Sequence, residues 1–473
     1  MGAYQKDVLS DFYDSLAIKY EKRGASRKYY HNQLSKLLRF LIPPAMHVLE
    51  LGSGTGNLLS SVNPKNGVGI DSSRGMNAYA KKKHPALNFI FANLETYVHT
   101  KKYDYVILSD TVDVLDDVLL VLKNTQKALK RDSRVIITYY NNLWQPVINF
   151  AENFGFKDRA RVHNWFSKDD LKNLLYLAGY DVISTGQICL LPVYIPVIST
   201  ILNKYCSELP ILKRFCFIQY IVSRSAPKPF LRKSSVSVII PTWNEVGTID
   251  TAIKTIPVMG SGTELIFVDN HSTDGTKEKI EEYMTVYKNK NIKLIMQIQK
   301  KGKAVAVYQG FDSAKGDIVM ILDSDLTVQP KELPKFYDAI VDGKGEFING
   351  CRLVYPMEEK SMQTINYIGN KFFSMTFSWL LNQPVKDTLC GTKVLTRHSY
   401  EKIKAGREYF GNFDPFGDFD LLFGASKLNL KIVDMPIRYK ERTYGDTKIH
   451  RWQHGLLLLK MCVYAYKKLK IRW

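Results

Sequence analysis

The pattern that most constrains this chain is an alternation of apolar, strand-like runs with amphipathic helical segments, and it occurs twice. One alternation runs from about residue 30 to 224 and the other from about 236 to 440. Such an alternation predicts mainly parallel sheets with helices on both faces. Since 473 residues exceed what one hydrophobic core organises, we predict two α/β domains, 1–224 and 236–450. Between them, residues 225–235 (SAPKPFLRKSS) have the proline and basic content of an exposed linker.

Charge and cysteine usage limit the setting in which the chain works. A formal charge of +20 favours a polyanionic neighbour, either an anionic membrane surface or nucleic acid, over a neutral solute. The six cysteines are scattered without a CxxC pair, which indicates a reducing compartment and no structural zinc. The N terminus has charges where a signal peptide needs an apolar run, and no apolar run is long enough to span a bilayer. We therefore expect a cytoplasmic protein.

In the first half, a predicted strand runs into a glycine-rich turn and then a helix, in HVLELGSGTGNLL at 47–59. Gly52, Gly54 and Gly56 let the backbone pass close to a ligand held over a helix N-terminus. A dinucleotide fingerprint would need a third glycine where the chain has Asn57 and Leu59, so NAD is disfavoured. A turn of this kind can also serve only to pack a helix on a sheet.

The stretch ELGSGTG and the segments after it resemble class I methyltransferases that use S-adenosylmethionine, over roughly 200 residues. The resemblance implies a Rossmann-like sheet and an S-adenosylmethionine site formed by Glu50 and the three glycines. It also implies that Asp71, at the end of VGID, accepts both ribose hydroxyls. Asn93 and the Leu94 amide would read the adenine edge.

Methyl transfer needs chiefly alignment and, for a hydroxyl acceptor, a base. Asp110, Tyr140 and His163 are candidates near strand ends, although each can equally be a structural or capping residue. Residues 188–224 are unusually apolar for the end of this domain. They predict either two final strands around a buried helix or a patch that touches lipid.

In the second half, the strand VMILDSDLTV (319–328) ends in a pair of carboxylates, Asp323 and Asp325. Ligands gather at the carboxyl ends of strands in open α/β sheets. Residues two apart in an extended chain point to the same side, where two carboxylates repel unless a divalent cation neutralises them. The pair therefore predicts a metal that is presented to a diphosphate.

Together with PTWNE, VDNHSTDGT, GKAVAVYQG and DTLCGTK, this pair resembles the motif series of family 2 glycosyltransferases of the GT-A fold. Within that family the chain is similar to the dolichol-phosphate and polyprenyl-phosphate sugar transferases, and the resemblance covers nearly all of 235–450. It implies that Asp325 binds Mg²⁺ or Mn²⁺ with help from Asp323. The nucleotide sugar would be held by Pro241, Glu245, Asp269, Lys303 and Asp323. Ala304 and Thr327 depart from the usual pattern and put the choice of donor in doubt.

The acceptor follows from chemistry, because a phosphate monoester is already ionised at pH 7 whereas a sugar hydroxyl must lose a proton. The cations predicted to hold an acceptor phosphate are Arg352, Arg442 and Lys448. Of Asp418 and Asp420 in PFGDFDLL, Asp420 matches the family's acidic position better. The resemblance implies that Asp325, Asp420 and Arg442 form the catalytic set, acting in inverting transfer to a polyprenyl phosphate.

Two other functions remain open from the sequence. In the first, a glycan or small-molecule hydroxyl is the acceptor, with Asp420 as its base. In the second, the charge marks an RNA-binding face and the methyltransferase acts on RNA, although no RNA-recognition motif is present and no nucleic acid is expected.

The tail 451–473 combines six Lys and Arg residues with an apolar stretch too short to span a bilayer. It predicts an interfacial helix on an anionic membrane surface, with Trp452 and Trp473 at its edges. The segment 370–381 is a second candidate for membrane contact, with core packing as the alternative. We therefore expect peripheral association with the cytoplasmic face of a membrane.

Overall fold

The computed structural model describes residues 25–154, 164–227, 229, 233–298, 302–355, 364–410, 417–440, 442, 444 and 451–471. They form two compact units, of which the first ends at Ala226 and the second runs from Pro227 to Lys470. Each unit is built on its own seven-stranded sheet. The prediction of two α/β domains is confirmed.

The first sheet has the strand order β3-β2-β1-β4-β5-β7-β6. Strands β1 to β5 run parallel, whereas β7 is antiparallel to both β5 and β6. The strands are β1 His47–Leu51, β2 Asn66–Asp71, β3 Asn88–Phe91, β4 Tyr103–Ser109, β5 Leu129–Tyr140, β6 Tyr180–Ile188 and β7 Ile218–Ser225. The α-helices are Ala25–Leu41, Asn57–Ser61, Arg74–Lys83, Val118–Thr125, Gln145–Asn153, Lys168–Leu177 and Ile198–Lys204.

The second sheet has the order β10-β9-β8-β11-β13-β12-β14, with β13 antiparallel to β11 and β12. Its strands are β8 Val236–Thr242, β9 Thr263–Asp269, β10 Asn291–Met296, β11 Ile318–Ile321, β12 Phe347–Cys351, β13 Lys393–Thr396 and β14 Ile432–Pro436. The α-helices are Val246–Thr255, Thr276–Val286, Lys303–Ser313, Leu333–Val341, Thr364–Leu381, Arg397–Ala405, Asp418–Lys427 and Arg451–Ala465.

Burial of the central strands explains why they form. All four residues of β11 and four of the five residues of β1 are buried. A strand that is covered on both faces needs apolar side chains on both, which is why these strands read as continuous apolar runs. The parallel strands carry their carboxyl ends to one edge of each sheet, and the glycines and aspartates of the motifs lie there.

The segment between β6 and β7 only partly follows the expectation of two strands around a buried helix. Both strands form, but the helix Ile198–Lys204 buries Ser199 and Asn203 and exposes Ile198 and Ile201. The core of this unit is complete without the helix, which lies on the surface with its polar side inward.

The C-terminal helix packs one side against other residues and leaves apolar side chains exposed on another, so its contact with a membrane stays a prediction. Met461 and Ala465 are fully buried, while Leu456, Leu459 and Val463 on the same helix are exposed. Tyr466, just after the helix, stacks on Trp379 with ring centroids 5.6 Å apart. No helix in the described part of the chain is long and apolar enough to cross a membrane. The Trp452 side chain and Trp473 lie outside the described residues.

Candidate active sites

The glycine-rich turn after β1 has the geometry that the sequence predicts for a ligand cradle. Gly52, Gly54 and Gly56 have φ angles of 75°, 50° and 74°, which favour glycine. A Cβ at Gly52 or Gly56 would clash with Thr111 or Phe89, so these two glycines are needed for packing. At Gly54 no described heavy atom lies within 4 Å of the Cβ position, so the turn is open there.

Two polar groups of this turn fit a bound ligand. Asp71, at the end of β2, accepts hydrogen bonds from Gly54 N at 2.7 Å and Ser73 N at 2.8 Å. Its carboxylate is therefore held directly beside the open part of the turn. Ser53 Oγ is buried and has no hydrogen-bond partner among the described residues. A buried hydroxyl in that state is satisfied when a polar ligand binds.

Asn93 and Leu94 follow β3, where the resemblance places the adenine edge. The Asn93 side-chain oxygen accepts a hydrogen bond from Glu95 N at 2.8 Å, and Leu94 is buried. The structure thus fixes the turn that carries both residues, and their contact with adenine stays a prediction.

Glu50, at the end of β1, is the most buried of the predicted S-adenosylmethionine ligands. Its side chain accepts a hydrogen bond from Leu59 N at 3.1 Å. Burial raises the pKa of the Glu50 carboxyl to about 8, and the nearby charges of Asp71 and Asp110 act in the same direction. The charges of Asp71 and Asp110 at this edge would stabilise a bound cation, such as a sulfonium, beside the largely neutral Glu50.

Asp110 is the methyl-transfer candidate that the structure ties to a second titratable group. It lies at the carboxyl end of β4 with a φ of 52°, and its Oδ2 accepts a hydrogen bond from the Tyr30 hydroxyl at 2.6 Å. Burial, followed by the charge of Asp110, raises the pKa of Tyr30 well above its usual range. Tyr140 lies beside this pair, with its ring centroid 6.3 Å from that of Tyr30. His163 lies outside the described residues.

Tyr30 was absent from the sequence-derived site. Its only sequence signal is an aromatic pair in a helix that otherwise predicts core packing, in ASRKYYHNQ. The contact with Asp110 joins positions 80 residues apart, so no local pattern encodes it.

In the second unit, the two aspartates that follow β11, Asp323 and Asp325, each contact a cationic side chain. Lys303 Nζ lies 2.6 Å from Asp323 Oδ1, and Arg442 Nη2 lies 2.7 Å from Asp325 Oδ2. Thr327 donates to Asp325 Oδ1 from its amide at 3.1 Å and its hydroxyl at 2.9 Å. Thr327, which departs from the family pattern, therefore orients the predicted metal ligand.

The pKa values of the two aspartates diverge. Burial raises the pKa of Asp323, against the opposing charge of Lys303, and the Asp325 charge raises it further. Burial also acts to raise the pKa of Asp325, but the hydrogen bond and charge of Arg442 and the bonds from Thr327 outweigh it and lower that pKa. Asp325 is thus the carboxylate best kept ionised for a cation.

The residues predicted to hold the nucleoside lie at or after the carboxyl ends of β8 and β9. Pro241 is part of β8, and Glu245 lies after it with Oε1 at 3.6 Å from Arg442 Nη1. Asp269 ends β9 and accepts hydrogen bonds from the Ser272 amide at 2.9 Å and hydroxyl at 2.5 Å. Glu245 and Asp325 thus both lie close to the Arg442 guanidinium.

Arg352 is engaged differently from the acceptor role assigned to it. Its Nε and Nη2 form a bidentate pair with Asp387 at 2.8 and 2.9 Å, and its guanidinium lies 5.2 Å from the Tyr439 ring centroid. The side chain is 12% exposed and Asp387 is fully buried. Arg352 therefore fixes the DTLCGTK segment, and its contact with a phosphate stays a prediction. Lys448 lies outside the described residues.

The structure distinguishes Asp418 from Asp420, both near the start of one helix. Asp420 Oδ2 accepts hydrogen bonds from the Tyr308 hydroxyl at 2.9 Å and Arg407 Nε at 2.8 Å. Asp418 is also buried, but its Oδ1 lies 3.9 Å from Lys393 Nζ and has no hydrogen-bond partner among the described residues. Its charge acts on both Lys303 and Asp323, so Asp418 faces the β11 aspartates.

The donor set for a divalent cation consists of oxygens alone. Carboxylate oxygens are the ligands that Mg²⁺ and Mn²⁺ prefer, and Asp323 and Asp325 supply them. Within the described ranges, no group of three or more His, Cys, Asp or Glu side chains could by itself hold a metal ion. The site therefore fits a cation that shares its coordination with a bound diphosphate or water.

Comparison with known proteins agrees with this division of the chain. The family model described as "Glycosyl transferase family 2" matches residues 237–403, and a model described as "Methyltransferase domain" matches residues 26–185. A dolichol-phosphate mannosyltransferase from Pyrococcus furiosus is 37% identical over 221 residues, which are 45% of this chain and 59% of the relative. An undecaprenyl-phosphate 4-deoxy-4-formamido-L-arabinose transferase from Aeromonas hydrophila is 24% identical over 48% of this chain and 65% of the relative. The chain thus spans less than two thirds of either relative.

Two solved structures are each similar to about half of the chain. A magnesium protoporphyrin IX methyltransferase from Synechocystis with bound SAH shares 15% identity over 47% of this chain and 99% of its own, with a TM-score of 0.35. A glucosyl-3-phosphoglycerate synthase from Mycobacterium tuberculosis was solved in complex with Mn²⁺, UDP and glucosyl-3-phosphoglycerate. It shares 18% identity over 50% of this chain and 80% of its own, with a TM-score of 0.37.

The family matches fall on the two sheets whose edges carry the motifs described above. The chain therefore carries one region that matches a methyltransferase domain, at 26–185, and one that matches glycosyl transferase family 2, at 237–403.

Proposed function

We propose that the second unit transfers a sugar, with inversion, from a nucleotide sugar to a polyprenyl phosphate. The observation that carries this proposal is the 2.7 Å contact between Arg442 and Asp325. It brings a cation of the predicted acceptor loop directly to a carboxylate of the predicted donor site. Relatives that are named for dolichol-phosphate and undecaprenyl-phosphate transfer support the same acceptor class.

Donor binding would use the edge formed by β8, β9 and β11. Pro241, Glu245 and Asp269 would hold the nucleoside, and Asp325 with Asp323 would hold Mg²⁺ or Mn²⁺. The cation supplies neutralisation of the leaving diphosphate when it is bound. Lys303, now 2.6 Å from Asp323, is a further positive charge at this edge and can shift to a phosphate oxygen.

Arg442 would then change partner. In the structure it neutralises Asp325 and lies near Glu245. A cation bound at Asp325 replaces that neutralisation, so the guanidinium becomes available to an acceptor phosphate, together with Lys448. A phosphate needs no proton removed before it attacks, so charge and position are what the residues must provide.

In this scheme Asp420 has a structural role and does not act as a base. Its Oδ2 is engaged by Tyr308 and Arg407, and the side chain is 6% exposed. A base must reach the proton that it abstracts, and Oδ2 of this buried carboxylate is already engaged by two donors. This arrangement favours the phosphate acceptor over the hydroxyl acceptor with Asp420 as base.

A hydroxyl acceptor remains the second candidate because of one observation on Asp418. Its buried Oδ1 has no hydrogen-bond partner in the described part of the chain and faces the donor site. Such an oxygen could accept a proton from a sugar hydroxyl. In that case Asp418, rather than Asp420, would be the base.

The first unit is proposed to bind S-adenosylmethionine through Glu50, Gly52, Gly54, Gly56, Asp71, Asn93 and Leu94. The open turn at Gly54 and the adjacent Asp71 carboxylate support this site. Asp110 is the carboxylate that would take a proton from a methyl acceptor, and the Tyr30 hydroxyl orients it by donating a hydrogen bond. The cofactor itself supplies an activated methyl group on a sulfonium.

Peripheral contact of the second unit with the cytoplasmic face of a membrane completes the proposal. Phe372 and Met375 on the helix Thr364–Leu381 are exposed, as are Leu456 and Val463 on the C-terminal helix. Exposed apolar side chains on packed helices suit an interface with lipid, while basic residues meet anionic headgroups. They favour lipid over nucleic acid as the partner of the positively charged chain.

A panel of nucleotide sugars, each tested with polyprenyl phosphate and Mn²⁺, would test the sugar-transfer proposal. We expect one donor to yield nucleoside diphosphate and a labelled lipid. Glycan and simple glycoside acceptors serve as the comparison. Transfer to these hydroxyl acceptors, with none to polyprenyl phosphate, would favour the second candidate.

A further inference from the structure

The first unit carries an exposed apolar surface that its predicted chemistry does not use. We define this apolar surface by Phe150 and Phe154, at the end of the helix Gln145–Asn153, and by Ile198, Ile201, Ile211 and Phe215 in the β6–β7 connection. All six side chains are exposed. Large contiguous exposed apolar patches are rare on soluble proteins and mark sites of interaction.

The two parts of this surface are joined by specific contacts. Trp144, at the start of the helix Gln145–Asn153, donates from Nε1 to Phe215 O at 2.8 Å. Asn141 Nδ2 donates to Arg214 O at 2.9 Å and Cys216 O at 2.8 Å. Because these bonds fix the end of the β6–β7 connection against the helix, the apolar side chains belong to one structured region.

The helix Ile198–Lys204 shows that the exposure is built into the fold. Ser199 Oγ accepts from Ile195 N and donates to Val193 O, both at 2.7 Å. Asn203 bonds both the amide and the carbonyl of Leu191, at 2.8 and 2.7 Å. The polar side of the helix thus anchors the preceding loop, and Ile198 and Ile201 are turned outward. A helix on a water-exposed surface has the opposite arrangement.

The charges of this region select the partner. Residues 189–217 contain Lys204, Lys213 and Arg214, with Glu208 as the one acidic residue, and the helix Gln145–Asn153 adds Glu152. The Lys213 side chain is only 12% exposed and is neutralised by Glu208, so Lys204 and Arg214 supply the positive charge of this surface. Glu208 is buried and pairs with Lys213 at 3.4 Å. A surface that combines outward isoleucine and phenylalanine side chains with basic residues is complementary to an anionic bilayer, which takes up apolar side chains and attracts cations.

The apolar surface lies beside the edge that carries Asp110. Tyr29 donates its hydroxyl to Ser199 O at 3.1 Å, and its ring lies 5.5 Å from that of Tyr194. The next residue, Tyr30, donates to Asp110. Adjacent residues of one helix therefore contact the β6–β7 connection and the predicted methyl-transfer edge.

We propose that the first unit docks on an anionic lipid bilayer through this apolar surface, independently of the membrane contact proposed for the second unit. Docking would bring the edge with Asp110 close to the lipid headgroups. It would also make a lipid-borne molecule the class of methyl acceptor that this unit can reach. The docking itself does not rest on either proposed activity.

Vesicle cosedimentation of the full-length chain tests the docking. The vesicles contain phosphatidylcholine with or without phosphatidylglycerol. The test variant is Phe150→Glu/Ile211→Glu, and the matched control is Val98→Glu/Tyr176→Glu, which adds the same charge at exposed apolar positions elsewhere in the first unit. All three proteins, the otherwise wild-type chain included, also carry Leu456→Glu/Leu459→Glu, which removes the contact proposed for the C-terminal helix, so that the comparison measures the apolar surface of the first unit.

We expect wild type and control to bind the anionic vesicles within about twofold of each other and the test variant to bind at least roughly tenfold more weakly. Equal binding of the two variants, or no binding by the wild type, would overturn the proposal. Thermal unfolding checks that the variants fold, and Phe150→Ser/Ile211→Ser replaces the charged variant if it does not. Light scattering tests whether a second copy of the chain covers this surface instead. If the test variant binds vesicles as the wild type does but no longer forms a dimer, the surface belongs to a contact between two copies.

Discussion

At the residue scale, substitutions of Arg442 and Asp420 can distinguish a phosphate acceptor from a hydroxyl acceptor. Arg442 contacts Asp325 at the donor site, and Asp420 is hydrogen-bonded by Tyr308 and Arg407. Charge-assisted hydrogen bonds to a desolvated phosphate are each worth roughly 1.5 to 3 kcal/mol. We therefore expect Arg442→Ala to lower transfer to polyprenyl phosphate by about 10- to 100-fold. Asp420→Asn should be milder, because no proton has to leave a phosphate acceptor. Nucleoside diphosphate release, measured on one acceptor for both variants, gives the comparison.

Asp418→Asn belongs in the same experiment as the internal control. Under the phosphate reading it should leave a substantial rate, since Asp418 takes no proton. An inactive Asp418→Asn or Asp420→Asn enzyme, together with a nearly normal rate in Arg442→Ala, would contradict the assignment of a lipid phosphate as acceptor. Each variant also needs an unchanged melting temperature, because both aspartates are buried.

Glu50 gives a second residue-scale prediction, on the pH dependence of stability. Its pKa of about 8 in the folded protein lies above the value of an unfolded chain, near 4.3. The folded state therefore binds more protons between roughly pH 4.5 and 8, and the free energy of unfolding falls as pH rises through that window. Glu50→Gln removes this titration. We expect the free energy of unfolding of the variant, relative to that of the wild type, to rise by on the order of a few kcal/mol between pH 5 and 8.5.

Denaturant unfolding at several pH values measures this difference, provided that the first unit gives a resolved transition. Asp169→Asn is the matched control, because its side chain is 86% exposed. A constant difference between Glu50→Gln and wild type across the pH range would show that Glu50 stays ionised in the fold.

At the element scale, the C-terminal helix has two functions that substitutions can separate. Leu456 and Leu459 are exposed, so Leu456→Glu/Leu459→Glu should lower vesicle binding without lowering stability. Met461 is fully buried, so Met461→Ala should destabilise the second unit by about 2 to 5 kcal/mol and leave vesicle binding intact. Cosedimentation and thermal unfolding of both variants provide the test.

Deletion of 451–473 could not separate vesicle binding from stability, because it removes buried and exposed side chains together. Loss of stability in the Leu456→Glu/Leu459→Glu protein, with binding unchanged, would reassign this side of the helix to packing. The helix Ile198–Lys204 likewise has two sides with different roles: Ser199 and Asn203 bond the preceding loop, while Ile198 and Ile201 are exposed.

At the scale of the whole molecule, each unit has its own sheet and its own site, so the two activities should be separable. Asp325→Ala should abolish sugar transfer and leave S-adenosylmethionine binding intact. Asp71→Ala should do the reverse, since it removes the carboxylate beside Gly54. Nucleoside diphosphate release and titration calorimetry are the two readouts. Loss of both functions in a folded variant would show that the units depend on each other.

Membrane docking of the first unit leads to a further whole-molecule prediction about the methyl acceptor. With methyl-labelled S-adenosylmethionine and a total lipid extract, label should appear in the organic phase. The Phe150→Glu/Ile211→Glu variant should lower this incorporation while S-adenosylmethionine affinity stays unchanged. Label confined to a water-soluble product would contradict a lipid-borne acceptor.

The sequence by itself determined the elements and the strand ends that carry function. Apolar runs such as Val319–Leu322 must be buried, and the aspartates and glycines that follow them must lie where the strand stops. Only the tertiary structure decided which side chains meet. It joined Tyr30 to Asp110 and Arg352 to Asp387, distinguished Asp418 from Asp420, and turned Ile198 and Ile201 outward. Periodicity and spacing report on neighbours within one element, whereas these contacts bring distant segments together through packing, and a local pattern carries no record of its remote partner.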